Sequence, residues 1–519
     1  MAFKTLCNHI FLLFTITMCN RYKQFIGAIL LLVLTGISLS ARAQVKPAFI
    51  QGMTQAIQDK DASLLKPYLS PVFTVAGHHG EGANFRLNQI VSNYPLAAVT
   101  ALAEKKVSKG KIYDLEFLKQ DGKVDKSQAL VDPNGKLLYI SLFDQLYGLK
   151  RHPQSALLAQ IPFENHNGSI ILTVQINALK RPIKLLFDTG ADGMAVSQAL
   201  ADEIGLKISR ENNASVVGGN KTIQVSDGNT VLLDTLTLSG MGIAIFPEMG
   251  RDHAEGIIGN SLVRKFITHI DYDNNLLSLY SFGPHNYQGK GQLVPITMPS
   301  GVLLLPGQLD IVQGKSYAGN FVFDTGAAYD LICFRPFVRQ NKLLVSGFKP
   351  EVQAATVSMG ISSPTFLGQS YQFALSPLPA MLGLPVTLMG GSSANESWDP
   401  GADGSIGVRL LSRYNMTINL ADSEVYFSPN KLYPYPQDFV LAGYQFGWNN
   451  KAELVVLSAA GSAPEVANGL KPGDVIQHIA GLHAQNLLKK PSLIADFQAK
   501  AKAGSKVEVK LLDHTIIML

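Results

Sequence analysis

Short apolar runs separated by turn residues dominate the middle of this chain, a pattern typical of β-strands. Two of these runs, Leu185–Phe187 and Phe321–Phe323, are each followed at once by Asp-Thr-Gly-Ala. Asp188–Ala191 and Asp324–Ala327 therefore stand at the ends of two predicted strands. Because Asp and Gly both favour turns, each tetrapeptide is expected to form a tight loop.

The repetition extends well beyond the tetrapeptides. Residues 255–279 align without a gap with residues 403–427, and each segment begins with two glycines that bracket a pair of residues. A whole structural unit is therefore predicted to occur twice, because a repeat of this length defines an architecture. Ser405 departs from the pattern, since the first copy has Ile257 there. A buried hydroxyl without a partner would cost roughly 1–3 kcal/mol.

Two identical Asp loops indicate one kind of chemistry. Two carboxylates held close together share one proton and activate a water molecule, as in the dyad of aspartic proteases. Each half resembles a bacterial retropepsin-like aspartyl protease lobe. The pair, over roughly residues 165–430, resembles a single-chain, two-lobed aspartic protease. The resemblance implies Asp188 and Asp324 as general base and general acid, with polypeptides as substrates.

The resemblance also implies supporting roles within each loop. Gly190 and Gly326 would let the backbone turn sharply, so that amide groups point at the carboxylates. In the family, the hydroxyls that correspond to Thr189 and Thr325 form hydrogen bonds to the opposite loop and join the two halves. The glycine-bracketed pair in each half would cross beneath the Asp loop and support it.

Ala191 and Ala327 affect the pH range in which the dyad is expected to be active. Many pepsin-like enzymes carry a Ser here, which donates a hydrogen bond to a catalytic carboxylate. Since Ala cannot donate, the ionised form of the dyad loses a stabilising contact. The sequence therefore predicts an optimum nearer weakly acidic to neutral pH than the strongly acidic range.

A flap is expected over the cleft. Gly218 and Gly219 stand between β-branched runs, which predicts the tip of a hairpin. A plain surface hairpin would have the same pattern, so both alternatives stay open. No Tyr occurs between residues 188 and 271, so a retropepsin-like flap is a better model than a pepsin-like one. An equivalent hairpin near residues 356–360 is less clear.

The N-terminal residues 1–43 have the pattern of a secretory signal peptide. Arg21 and Lys23 precede the apolar run 25–40, and Ala41-Arg42-Ala43 offers a cleavage site. Export to the periplasm or the extracellular space of a bacterium is expected. An uncleaved leader would instead act as a membrane anchor, and membrane association is predicted only in that case. Cys333 then remains alone, without an internal disulfide, and is expected to be a buried apolar residue.

Residues 44–155 are predicted to form a separate, small α+β domain. Phe49 to Asp59 has helical spacing, and the runs 107–118, 129–131 and 137–143 have the pattern of strands. This part weakly resembles NTF2-like domains. His78 and His79 are expected in a solvated, glycine-rich loop, because no further ligand with metal-site spacing follows them.

Residues 433–519 resemble a PDZ domain. Phe446-Gly447-Trp448 fits the family's carboxylate-binding loop, and residues 463–476 match its Leu-x-x-Gly-Asp turn and strand. The resemblance implies that C-terminal or extended peptides bind by strand addition. In the alternative, the module only packs against the protease, with Phe446 and Trp448 as core residues.

The sequence thus predicts a mainly β, bilobal protein with lobes at 156–284 and 292–430, flanked by the α+β and PDZ-like domains. The expected function is that of an aspartic endopeptidase that needs no metal or cofactor. The alternative is a catalytically silent peptide-binding scaffold of the bacterial envelope. The formal charge of +5 falls to +1 (5 − 4) when the four basic leader residues are removed. Nucleic acid is therefore not an expected partner.

Overall fold

The computed structural model describes residues 47–249, 253–392, 395–459 and 469–519. The predicted signal peptide (residues 1–43) and residues 463–468 of the predicted PDZ turn lie outside the described residues. No helix in the described part of the chain is both long and apolar enough to cross a membrane. The α-helices are α1 (Ala48–Asp59), α2 (Gly80–Asn93), α3 (Ser141–Leu146), α4 (Gln198–Ile204), α5 (Arg335–Gln340), α6 (Val408–Leu411), α7 (Asn486–Lys489) and α8 (Ser492–Lys502).

The chain divides into two compact units. The first comprises the described residues up to Ser70 together with Asn88–Leu142, and the second comprises Pro71–Leu87 together with the described residues from Phe143 onward. The domain boundaries expected from the sequence stay predictions.

The first unit combines α1 with an antiparallel sheet in the order β1-β2-β3-β4. Its strands are β1 (Leu96–Val107), β2 (Gly110–Lys119), β3 (Val124–Val131) and β4 (Leu137–Ile140). Phe49, Met53 and Ile57 are buried on one face of α1, as the helical spacing predicted. The predicted strand at 137–143 is three residues too long, since Ser141 begins α3. The likeness to NTF2-like domains stays a prediction.

The second unit contains the remaining strands. Those of the predicted repeats and their connections are β5 (Leu157–Pro162), β6 (Glu164–His166), β7 (Ser169–Ile176), β8 (Ile183–Phe187), β9 (Met194–Ser197), β10 (Arg210–Val216), β11 (Gly219–Leu233), β12 (Leu236–Phe246), β13 (Gly256–Ile258), β14 (Ile267–Asp271), β15 (Leu276–Tyr280), β16 (Gln292–Pro295), β17 (Leu304–Val312), β18 (Lys315–Phe323), β19 (Leu331–Cys333), β20 (Pro350–Ser358), β21 (Ile361–Gln369), β22 (Gln372–Ala374), β23 (Met381–Leu382), β24 (Pro385–Met389), β25 (Gly404–Ile406), β26 (Tyr414–Asn419) and β27 (Glu424–Pro429).

Two sheets of this unit contain the same arrangement of strands. Among the described residues, the first sheet has the order β10-β11-β12-β9-β13-β8-β7-β6, and the second has β20-β21-β24-β19-β25-β18-β17-β22-β23. Strand β13 pairs in parallel with β8 and antiparallel with β9. Strand β25 pairs in the same way with β18 and β19. The sequence repeat is therefore also a repeat of strand order.

A six-stranded sheet joins the two repeats, in the order β16-β27-β26-β14-β15-β5. Its central contact is the antiparallel pair of β14 from the first repeat and β26 from the second. A continuous apolar core runs through both repeats. Cys333 lies within it and is fully buried, which confirms the prediction for this residue.

The C-terminal residues form a sheet of their own, in the order β28-β29-β30-β31-β33-β34, with β32 paired to β31. Its strands are β28 (Phe439–Leu441), β29 (Tyr444–Trp448), β30 (Leu454–Ala459), β31 (Val475–Ile479), β32 (Leu482–His483), β33 (Glu508–Leu511) and β34 (Ile516–Met518). A separate apolar cluster fills this part, with Phe446, Trp448 and Phe497 among its buried members. The resemblance to a PDZ domain stays a prediction.

Candidate active site

The two Asp loops begin where central strands of the repeated sheets end. Asp188 follows β8, and its amide donates to the carbonyl of Ile258 at 3.0 Å. Asp324 follows β18, and its amide donates to the carbonyl of Ile406 at 3.1 Å. Strands β13 and β25 thus hold equivalent backbone positions of the two loops. A side chain at Gly259 would overlap the Ala191 carbonyl, so the strand passes close against the loop there.

The two loops are joined by reciprocal hydrogen bonds between Thr189 and Thr325. The amide of Thr189 donates to Thr325 Oγ1 at 3.1 Å, and the amide of Thr325 donates to Thr189 Oγ1 at 3.0 Å. Each hydroxyl also donates to the opposite strand, at Phe323 O (2.6 Å) and Phe187 O (2.7 Å). Both threonines are fully buried, so these bonds are shielded from competition with water.

The carboxylates of Asp188 and Asp324 each lie against the glycine of the opposite loop. Within each loop, the glycine amide donates to its own Asp, at 3.0 Å from Gly190 and 2.9 Å from Gly326. A β-carbon built on Gly190 would lie 2.6 Å from Asp324 Cγ, and one on Gly326 would overlap the carboxylate of Asp188. Only glycine fits at these positions, because the opposite carboxylate occupies the space of a side chain.

The surroundings of Asp324 include two hydroxyl groups. Ser405 Oγ donates to Asp324 Oδ2 at 3.0 Å, which supplies the partner that a buried hydroxyl needs. The Tyr329 side chain lies beside both Ser405 and Asp324. Burial and the neighbouring Asp324 carboxylate raise the pKa of Tyr329 well above its ordinary value. The sequence analysis did not identify Tyr329. The contrast with Gly193 at the matching position of the first repeat is the signal that could have found it.

Two hairpins, one from each repeat, extend toward the opposite repeat. Strands β10 and β11 are joined by Val217 and Gly218, with Val216 paired to Gly219. A hairpin therefore forms where the sequence predicted one, with its turn one residue earlier than Gly218–Gly219, and its role as a flap stays a prediction. Val217 packs in an apolar cluster with Val322 and Trp398 of the second repeat. In return, Met359 at the tip of the β20–β21 hairpin packs in the cluster that contains Ile223 of the first repeat.

The first hairpin contacts both the second repeat and its hairpin directly. Trp398 Nε1, on the loop after β24, donates to Ser215 Oγ of β10 at 3.2 Å. A β-carbon on Gly218 would lie 2.5 Å from Ser363 Oγ of β21. Because Gly218 has a φ of +93°, glycine suits this turn by conformation as well as by space. The hairpin tips therefore close over each other in this structure.

Phe446, Gly447 and Trp448 lie in β29, which is paired on one side to β28 and on the other to β30. The side chains of Phe446 and Trp448 are fully buried. A β-carbon at Gly447 would overlap the guanidinium of Arg409 and the carboxylate of Asp438. The three residues thus form part of the core, as in the packing alternative, and Gly447 makes room for an internal ion pair.

That ion pair connects the C-terminal residues to the second repeat, and the sequence analysis did not identify it. Arg409 contacts Asp438 through two hydrogen bonds, at 2.7 Å from Nε and 3.0 Å from Nη2. Its side chain is only 5% exposed and that of Asp438 is fully buried. Asp330, on the loop after Asp324, lies nearby and accepts from Gln445 at 3.3 Å. Burial, reinforced by Asp438, raises the pKa of Asp330 well above its ordinary value.

His78 and His79 are buried, so the expectation of a solvated loop is wrong. His79 Nδ1 accepts from the amide of Met298 at 3.1 Å. Burial lowers the pKa of His78 to about 3 and that of His79 to about 4, with Arg86 adding to the effect at His78. The described residues contain no cluster of ligands that could hold a metal ion.

These two histidines predict a loss of stability in acid. Their pKa values in the folded chain lie below the ordinary value of 6.5, so the unfolded chain takes up protons first as the pH falls. Stability should be complete above about pH 6.5 and fall toward pH 4, by up to about 1.4 kcal/mol per pH unit for each histidine. Urea unfolding followed by the fluorescence of Trp398 and Trp448 measures this.

A matched pair of variants isolates the contribution of His79. His79→Gln keeps a hydrogen-bond acceptor but cannot take up a proton, so its stability should vary less between pH 6.5 and pH 4. His514→Gln at an exposed position should keep the pH dependence of the parent. An unchanged slope in His79→Gln would contradict the assignment.

One part of the chain is similar to a known family of proteins. Residues 172–262 match the family model described as aspartyl protease. No curated protein matches the chain. Among solved structures, the aspartic proteinase from Irpex lacteus is similar at 14% sequence identity, over 53% of this chain and 98% of that one, with a TM-score of 0.35. The segment that carries Asp188 is thus similar to a family of proteases, enzymes that hydrolyse polypeptides.

Proposed function

We propose that this protein is an aspartic endopeptidase whose catalytic dyad consists of Asp188 and Asp324. One observation carries the proposal: two Asp-Thr-Gly loops from a repeated unit face each other, with each glycine against the opposite carboxylate. Two carboxylates in such proximity hold a single proton between them, because both cannot ionise at once. The pair then offers an acid and a base at the same place, which hydrolysis of an amide requires.

The reaction follows from that arrangement. A water molecule between the carboxylates gives a proton to the ionised one, while its oxygen bonds to the carbonyl carbon of the peptide. The neutral carboxyl gives its proton to the carbonyl oxygen, and a gem-diol forms. One gem-diol hydroxyl then returns a proton to the dyad, the C–N bond breaks, and the amine leaves with the other proton. The dyad is restored with one proton.

The two hairpins are proposed to act as flaps over an extended substrate. Because their tips close on each other, they must separate before a polypeptide can enter the cleft and then cover it. The reciprocal packing of Val217 and Met359 into the opposite repeats supports paired flaps rather than a single one.

A disulfide between the tips should act as a reversible lock. A β-carbon at Gly218 would lie 3.8 Å from Ser363 Cβ, within the usual disulfide range of about 3.5–4.5 Å. The variant with both Gly218→Cys and Ser363→Cys should lose cleavage when oxidised and regain it with dithiothreitol. Each single variant is the control, since Gly218→Cys by itself also strains the turn. Equal activity in both redox states, with the disulfide verified by mass, would argue against flap opening.

Residues 433–519 are proposed to form a PDZ-like module that serves mainly to pack on the second repeat. The buried contact between Arg409 and Asp438 supports this role, as does the burial of Phe446 and Trp448. Export to the bacterial envelope through residues 1–43 is likewise a proposal. It is tested by cell fractionation together with N-terminal sequencing of the mature chain.

Cleavage of a peptide library by the chain from Gln44, across pH 3–8, tests the proposed enzyme. Cleavage at internal bonds, absent when either Asp188 or Asp324 is changed to Asn, is the expected result. Peptide binding that persists in the parent and both variants, with no cleavage by any of the three, would instead support the scaffold alternative.

A further inference from the structure

The two members of the dyad stand in different surroundings. Asp324 accepts hydrogen bonds from the Gly326 amide at 2.9 Å and from Ser405 Oγ at 3.0 Å, and the Tyr329 side chain lies beside it. Ser405 is 1% exposed, and Tyr329 is partly buried against an apolar cluster. Both side chains are therefore held in place by packing, and the Ser405 hydroxyl is directed at one carboxylate.

The first repeat carries no hydroxyl at either matching position. Ile257 stands in β13 where Ser405 stands in β25, and Gly193 stands where the loop after Asp324 has Tyr329. Ile257 is 4% exposed and packs in an apolar cluster. The surroundings of the two carboxylates therefore differ at two positions of the sequence.

We propose that Ser405 and Tyr329 are positioning residues that make Asp324 the ionised member of the dyad and leave the shared proton on Asp188. This inference rests on the proposed function of the dyad. A hydrogen bond donated to a carboxylate stabilises its charged form. In the free enzyme Asp324 is then the base that takes a proton from water, and Asp188 is the acid that protonates the carbonyl oxygen, which reverses the roles expected from the sequence.

Tyr329 is suited to this role because it stays protonated. Burial and the nearby Asp324 raise its pKa well above the ordinary value, so it remains a donor throughout the range in which the enzyme would work. The titratable groups that face Asp324 include Tyr329 and Asp188. Ser405 and Tyr329 also supply the hydroxyl that Ala327 lacks, so the enzyme should tolerate more acidic pH than Ala327 alone implies.

The pH profile of kcat/KM is the first readout. Ser405→Ala should move the acidic limb of the profile upward by about 0.5–1 pH unit, the effect of one lost hydrogen bond to the charged form. Tyr329→Phe should move it in the same direction, because it removes the hydroxyl beside Asp324. Matched controls remove the same hydroxyls elsewhere: Ser370→Ala, which loses a bond to Leu384 O, and Tyr272→Phe, which loses one to Gly168 O. Neither control should shift the acidic limb of the kcat/KM profile.

Chemical labelling is a second readout that needs no turnover. An epoxide is opened by a carboxylate anion, whereas a diazoacetyl ester must first be protonated by a carboxylic acid. Mass spectrometry should therefore find the epoxide on Asp324 and the diazo reagent on Asp188. The selectivity should disappear in the variant with both Ser405→Ala and Tyr329→Phe, provided that its melting temperature shows a folded protein.

The roles of Ser405 and Tyr329 and the endopeptidase activity itself can be refuted separately. An active parent whose pH limb and labelling pattern do not change in the variants would overturn the roles of Ser405 and Tyr329 and leave the endopeptidase intact. Labelling of Asp188 by the epoxide would overturn the assignment of charge. A folded parent that cleaves no peptide would overturn the endopeptidase itself.

Discussion

Changing Asp188 or Asp324 to Asn is expected to lower kcat/KM for peptide cleavage by about 10³–10⁴-fold. Asn keeps the shape of the side chain but can neither accept the proton of the attacking water nor give one to the substrate. Because one dyad supplies both functions, either substitution removes the pair, and the double variant should be little worse than each single one.

The fold should survive these substitutions. The reciprocal bonds of Thr189 and Thr325 do not involve the carboxylates, and removal of one carboxylate relieves the need to share a proton. Thermal unfolding of the variants should therefore stay close to that of the parent. Asp310→Asn is the matched control, since Asp310 is a buried carboxylate of the second repeat that bonds to Gln372. Activity within a factor of a few in either dyad variant would refute the dyad.

Removal of the Asp438 carboxylate is expected to cost about 3–5 kcal/mol of stability, the largest structural effect of a single substitution predicted for this chain. Asp438→Asn leaves the buried guanidinium groups of Arg409 and Arg413 without the carboxylate that they share. Urea unfolding, followed by tryptophan fluorescence at neutral pH, measures the loss. Trp448 is a sensitive reporter, since its carbonyl accepts a hydrogen bond from Arg409 at 3.2 Å.

Two comparisons establish the origin of that loss. The variant with Arg409→Met, Arg413→Met and Asp438→Leu removes the carboxylate together with both guanidinium groups that face it, so it should regain much of the stability that Asp438→Asn loses. The exposed pair of Arg181 and Glu203, with side chains 40% and 42% exposed, is the surface control, and Glu203→Gln should cost less than about 1 kcal/mol. A small cost for Asp438→Asn, similar to that of Glu203→Gln, would show that the pair does not anchor the C-terminal module.

Local features of the active site could be predicted from the sequence because they depend on neighbouring residues. Leu185–Phe187 and Phe321–Phe323 end strands as their apolar pattern predicted. The turn at Gly218 follows from the conformational freedom of glycine between two strand-forming runs. The repetition of a structural unit was also visible in advance, since residues 255–279 and 403–427 carry the same pattern.

Predictions failed where the environment of a side chain depends on distant parts of the chain. His78 and His79 have the local sequence of a solvated loop, yet packing in the second unit buries them and lowers their pKa values. For Phe446-Gly447-Trp448 the sequence left two alternatives open, a ligand-binding loop or core residues, because the order of residues fits both. Only the tertiary structure shows that Arg409 and Asp438 occupy the space that Gly447 leaves.

The sequence by itself determined that two Asp-Thr-Gly loops exist, that each ends a strand, and that the second copy has Ser405 where the first has Ile257. The tertiary structure alone decided that the loops meet through Thr189 and Thr325, that the Ser405 hydroxyl donates to Asp324, and that Tyr329 lies beside that carboxylate. The reason is physical: turn and strand preferences act over a few residues, whereas hydrogen bonds between residues far apart in the chain form only when the packing of whole sheets brings them together.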